Sequence, residues 1–338
     1  MTNGAPPVGL VLGSALAPER IQHVAATAEE LGFGQFWLAE DYFFTGGISG
    51  ATGALAATMR APVGLGIVSA MVRHPALLAM ELSTLARMYP GRVLPGIGLG
   101  LPHWVRQMRL HPKSSLGALR ECVTSVRKLL DGEVLTTDGD YFSFDQVQLT
   151  YPVTDERVPI YMGVIGPKML QLAGEIADGT VLSVLASARY VEWARERIAE
   201  GAARAGRDEH HRISTFALFA VDEDGAKAKR EIRDLLAFYL AAMAQSPLTS
   251  AHGISDDVVA LAKDGPAALS RAMPDEWVEE LAIAGDPAEC AEKIDRLIAA
   301  GSDSVELFIV PPERAGELTE LAAAQVLPRV TGRAREVA

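Results

Sequence analysis

Four short stretches of this 338-residue chain combine residue types that could do chemistry. In the first, Glu40-Asp41-Tyr42-Phe43-Phe44 sets two carboxylates beside a run of aromatic rings, followed by the flexible Thr45-Gly46-Gly47. A carboxylate desolvated against a flat ring has its pKa raised toward working pH, which suits proton relay or electrostatic tuning of a bound ring. The plainer reading of the same residues is an exposed capping acid beside a packed aromatic patch. In the second, Gly64 to Pro75, Gly66 lets backbone approach a ligand closely and Arg73 offers a partner for an anion. In the third, Gly96, Gly98 and Gly100 precede His103 and Trp104. The fourth, Gly163-Val164-Ile165-Gly166-Pro167-Lys168, runs into a helix N-terminus, whose free N–H groups and dipole suit a phosphate.

The elements that must position these stretches repeat one cadence, in which an amphipathic helix stops at Gly or Pro and a short β-branched run follows. Val8 to Leu12 reads as a buried strand, and the helix opened by Pro18 keeps Ile21, Val24, Ala28 and Leu31 on one face until Gly32. Phe36 to Ala39 is the next strand. Helices Pro75 to Tyr89, Lys168 to Asp178 and Pro287 to Ala300 lead into strands Arg92 to Ile97, Thr180 to Val184 and Val305 to Val310. Strand candidates near residues 8, 36, 63, 93, 159, 180, 213 and 305 make eight, which predicts an α/β fold of the (β/α)8 TIM-barrel type as a single domain over 1–338. The chain exceeds the typical barrel length of about 250 residues, so insertions at the C-terminal face are expected. One is a hairpin over the barrel top at about 131–158, and the other a helical lid at about 241–285. In such a barrel the four stretches all follow strands, where barrel chemistry sits.

Composition excludes several classes. Thirty-one Lys plus Arg against 43 Asp plus Glu give a net charge of −12, with no basic block for a nucleic-acid backbone. With 49% apolar residues a sizeable core is available, and no apolar run approaches the roughly 18 residues a membrane helix needs. Neither Cys122 nor Cys290 belongs to a C-x-x-C pair, which suits a reducing, cytoplasmic setting. Met1 to Pro7 carries no secretory pattern, and Gly332 to Ala338 reads as a frayed tail. The glycines at 96–100 run into Leu101-Pro102, where no helix start is expected, so a dinucleotide fingerprint is disfavoured. Phosphate-loop, zincin and nucleophile-elbow motifs are absent, and the seven histidines are scattered, so no metal site is expected.

Taken with Phe36-Trp37-Leu38-Ala39-Glu40-Asp41-Tyr42, Arg73-His74-Pro75-Ala76, Gly91 to Gly98 and the run Val158 to Gly179, the chain resembles the bacterial-luciferase-like flavin- or deazaflavin-dependent oxidoreductases. It is most similar to the coenzyme F420 branch that includes the methylenetetrahydromethanopterin reductases. The resemblance implies a deazaflavin ring against the strand ends, with Glu40, Gly66, Ile67, Val68, Gly98 and Gly100 around it. It also implies a non-proline cis peptide at Gly66-Ile67, and the cofactor phosphate on Gly163, Val164, Ile165, Gly166 and Lys168. Glu40 stands where the branch carries an acid, usually aspartate, and Asp41 replaces a frequent histidine. Both are the expected catalytic residues of a hydride-transferring reductase or dehydrogenase. Leu101 stands where several F420 dehydrogenases have an acid, so Tyr42, Phe43, His103 and Trp104 are the expected substrate pocket. Phe44, Tyr141, Phe142 and Phe144 could either extend that aromatic mouth or glue the insertions to the barrel. Lys168, Arg73, Arg60 and Arg106 are the candidate cations for an anionic cofactor tail. The alternatives are an FMN-dependent monooxygenase and a non-catalytic flavin-binding barrel, and the family implies a homodimer acting on a small molecule.

Overall fold

The computed structural model describes residues 7–332; residues 1–6 and, of the tail expected at 332–338, residues 333–338 lie outside the described residues. Among the described residues thirteen strands are formed: β1 (Val8–Leu12), β2 (Phe36–Leu38), β3 (Val63–Leu65), β4 (Val68–Ser69), β5 (Val93–Leu94), β6 (Gly96–Gly98), β7 (Leu135–Asp138), β8 (Ser143–Val147), β9 (Tyr161–Gly163), β10 (Gly179–Leu182), β11 (Arg212–Val221), β12 (Ile283–Gly285) and β13 (Ser304–Ile309). All but β7 and β8 form one curled parallel sheet, ordered β4-β6-β9-β10-β11-β13-β1-β2-β3-β5 with β12 beside β11. Its two ends are halves of neighbouring strands. Gly66-Ile67 interrupts the run from β3 to β4, and Pro95 the run from β5 to β6. The halves β3 and β5 pair with each other, as do β4 and β6. The pairings therefore run round a full circuit of eight strand positions, at the places the helix-strand cadence predicts.

Strand β1 is wholly apolar and all five of its residues are buried, as a parallel strand covered on both faces requires. Inside the barrel Trp37 meets Tyr161 and Phe216 edge-on, with ring centroids 5.3 and 5.8 Å apart. Gly64 makes room for this cluster, because a Cβ there would stand 2.3 Å from the indole. The covering helices begin and end on local signals. Helix Pro287–Ala300 starts from an Asp286 and Glu289 capping box and stops at left-handed Gly301.

One expectation needs correction. A helix, Pro102–Gln107, does begin after the glycines at 96–100, because proline at the first helical position loses no hydrogen bond there. The hairpin β7-β8 forms within the expected stretch, in the connection between helix Ser115–Leu130 and β9, and packs on the barrel's covering helices. Its Asp140, Tyr141 and Phe142 N–H groups donate to Glu121, Ser114 N donates to Tyr141 Oη, and His74 packs on Phe142 and Phe144. Those aromatics thus glue the hairpin to the helices. The segment 241–285 is helical, with Pro247–Ser250, Ser255–Leu261, Pro266–Ala272 and Asp275–Leu281, and returns through β12 to the C-terminal end of β11.

Candidate active site

Glu40 follows β2 and Arg73 follows β4, so neighbouring strand ends bring together residues far apart in sequence. Arg73 donates to both Glu40 oxygens, at 2.6 and 2.9 Å, and Gly47 N donates to Oε2 at 2.8 Å. The Glu40 side chain is 7% exposed and that of Arg73 25%. This bidentate bond is the largest cause of the raised Arg73 pKa, which Glu81, 3.7 Å away, also supports. Arg73 is thereby committed to Glu40 and is not left over for a cofactor tail. Arg60 is also displaced from that role, because it precedes β3 and so stands at the barrel's other end. Arg106 and Lys168 are exposed, and both belong to helices that follow the C-terminal strand ends.

The glycines form a narrow cradle. The Gly66-Ile67 peptide is cis, as the resemblance implies. The Ile67 side chain enters between β6 and β9 so tightly that a Cβ on Gly163 would come within 2.5 Å of it, and one on Gly98 within 2.8 Å. Val68 is buried just beyond. Helix Pro167–Ile176 starts at Gly166 with proline at its first turn and no side-chain cap. A Cβ on Gly166 would meet nothing within 4 Å, so this end of the helix faces open space. Val164 is buried, and the Ile165 carbonyl accepts from Tyr190 Oη at 2.7 Å, which fixes the loop. A flat ring over Ile67 with a phosphate at Gly166 fits these residues.

Tyr42, Phe43, Phe44, His103 and Trp104 come together as one aromatic group. Tyr42 and Phe44 lie 5.9 and 6.3 Å from Trp104, Phe43 6.3 Å from Tyr42, and His103 4.8 Å from Trp104. Phe43 and Phe44 are 70% and 63% exposed, so they rim the mouth instead of filling a core. Asp41 accepts from Ser14 Oγ. The helix Arg233–Ala242, which leads into the 241–285 segment, brings Tyr239 close enough for the Asp41 charge to add to burial in pushing that phenol up to about 12. Farther along that segment, His252 Nε2 lies 2.7 Å from buried Ser187 Oγ, which pins the insertion to the loop after β10.

Two features had no sequence signal. A cleft of about 370 Å³ lies at the opposite, N-terminal mouth and is lined among others by Gln35, Tyr161, Asp178, Arg212 and Ser304. These residues precede or begin strands, so the cleft is not where barrel chemistry sits. Near it Glu306 is fully buried on β13, where Gln35 Nε2 donates to it and burial raises its pKa to about 8. Among the described residues no group of His, Cys, Asp and Glu could hold a metal ion.

A model of the luciferase-like monooxygenase family matches residues 5–304. The 5,10-methylenetetrahydromethanopterin reductase of Methanolobus tindarius is 32% identical over 289 residues, covering 83% of this chain and 87% of the relative. The F420-dependent glucose-6-phosphate dehydrogenase of Nakamurella multipartita is 29% identical over 338 residues, covering 93% of each. The solved structure of the coenzyme F420 dependent tetrahydromethanopterin reductase of Methanopyrus kandleri superposes with a TM-score of 0.84 at 25% identity, covering 97% of this chain and all of the other.

Proposed function

The chain belongs to the luciferase-like monooxygenase family, and we propose that within it the protein is an F420-dependent oxidoreductase that moves a hydride between the deazaflavin and a small organic substrate. The observation that carries this reading is the Ile67 cradle, whose bare glycines at 98 and 163 adjoin an uncapped helix start at Gly166. The F420-dependent relatives support the choice of cofactor. When bound, F420 supplies a two-electron hydride equivalent from a ring carbon. The residues of this chain do the rest. Ile67 supports the ring from one side, and the Gly166 helix start with Lys168 holds the phosphate. The Glu40–Arg73 pair sets a fixed dipole at the edge of the site, which favours electrostatic tuning over proton relay for Glu40. Asp41 is then the carboxyl available for proton exchange. Phe43, Phe44 and Trp104 shield the reacting centre from water.

The test is oxidation of reduced F420, followed at its visible band, with 5,10-methylenetetrahydromethanopterin and its tetrahydrofolate counterpart as first acceptors. Turnover with F420 and none with reduced FMN is expected. Oxygen-dependent turnover with reduced FMN alone would replace this reading with a monooxygenase. We further propose a homodimer in a reducing compartment, a setting compatible with the buried, unpaired Cys122 and Cys290.

A further inference from the structure

We infer that the Tyr42 hydroxyl is the hydrogen-bond donor that holds and polarises the substrate heteroatom gaining charge during hydride transfer, an inference that rests on the F420 reading above. Tyr42 is 7% exposed, yet its Oη has no hydrogen-bond partner. A buried hydroxyl without a partner costs about 1–3 kcal/mol, so an orphan of this kind calls for a ligand.

Its polar neighbours are largely engaged. Ser69 Oγ acts on the phenol from beyond ordinary hydrogen-bond geometry, and its hydrogen goes to the Leu99 carbonyl at 2.9 Å and one of its two lone pairs to Met71 N at 3.2 Å. Both Glu40 oxygens are taken by Arg73 and Gly47. What faces Oη is Gly100, held at φ 76°, where a Cβ would stand 2.6 Å from the hydroxyl oxygen. With no side chain, Gly100 leaves only backbone against the hydroxyl, at the strand ends where the Ile67 cradle also lies. Burial, and then the Glu40 charge, raises the Tyr42 pKa, so the phenol keeps its hydrogen and acts as a donor.

The ligand class follows. The acceptor is flat enough to lie by Trp104 and carries an oxygen or nitrogen bonded to the carbon that takes the hydride. In the reductive direction, hydride from reduced F420 brings its electron pair to that carbon. The pair of the carbon–heteroatom bond moves onto the heteroatom, which then takes a proton by way of Asp41, the carboxyl assigned to proton exchange above. Tyr42 keeps its own proton and stabilises the developing charge, as donors of an oxyanion hole do.

The experiment uses the full chain loaded with F420 and labelled with 3-fluorotyrosine, the Tyr42 fluorine resonance being assigned from its loss in Tyr42→Phe. The probes are 5,10-methylenetetrahydromethanopterin, 5,10-methylenetetrahydrofolate and acetone. The expected result is a Tyr42 resonance unmoved by F420 alone and shifted by at least one probe. Tyr42→Phe should keep F420 affinity and hold or raise the melting temperature, since no bond in the folded chain is lost and an unpaired buried hydroxyl is removed, while kcat/KM for that probe falls about tenfold or more. A Tyr42 resonance that moves with F420 alone, or with none of the probes, would overturn the inference, as would unchanged kcat/KM in the variant. A lowered melting temperature would also count against it, because it would mark Tyr42 as structural. Failure of F420 itself to bind would sink the underlying reading and is seen separately, in the loading step.

Discussion

At the residue scale the decisive pair is Glu40 and Arg73. Removing Arg73 leaves a carboxylate of 7% exposure with only the Gly47 N–H as partner. Breaking a fully buried pair costs about 3–5 kcal/mol, and partial exposure of Arg73 reduces this, so Arg73→Ala should lose about 1–3 kcal/mol in urea melts. Arg73→Lys cannot reproduce the bidentate geometry and should recover only part of it. An unchanged midpoint in Arg73→Ala would mean that the pair does not order the loop. Glu306 makes a second prediction. Its folded pKa of about 8 lies above the ordinary carboxyl value of 4.5, so the folded chain binds the extra proton between these values. Stability from this group is complete below about 4.5 and is lost as pH rises toward 8, at up to about 1.4 kcal/mol per pH unit. Glu306→Gln keeps an acceptor for Gln35 and should flatten this part of the stability profile, leaving the variant the more stable form at pH 8. Parallel pH profiles for the two proteins would refute the assignment.

At the scale of elements, the cradle depends on three strand ends meeting without side chains in the way. Gly163→Ala places a methyl 2.5 Å from Ile67 Cγ2, an atom on a stiff β-branched side chain. The expected outcome is a loss of about 1–3 kcal/mol in stability and at least about tenfold weaker F420 binding. Adding Ile67→Ala removes the clash and should recover stability but not binding, because the support beneath the ring is gone with it. Equal recovery of both would show that Ile67 has no part in holding the cofactor.

At the scale of the whole molecule, much of the frame was legible because helix periodicity and its stop signals are local. Helix Pro287–Ala300 and strand Val8–Leu12 fall where the pattern put them, and the four loops singled out for chemistry do converge at the strand ends. The interruptions at Gly66-Ile67 and Pro95 split two strands into four, which a run of apolar residues does not disclose. The Glu40–Arg73 pair joins residues 33 apart in sequence, so only the closed circuit of strands reveals it. Glu306 was missed because an acid within a strand reads as a solvent-facing position, whereas this one points among Gln35, Ser304 and Gly9.

The central claim, that this barrel is built for a deazaflavin, is tested most directly by titrating the purified protein with oxidised F420 and separately with FMN, followed by intrinsic tryptophan fluorescence, with Gly163→Glu as control. Binding of F420 in the micromolar range or tighter, much weaker binding of FMN, and loss of the F420 signal in the control are the predicted results. Tight FMN binding with F420 excluded would contradict the account and move the protein to the oxygen-using side of its family.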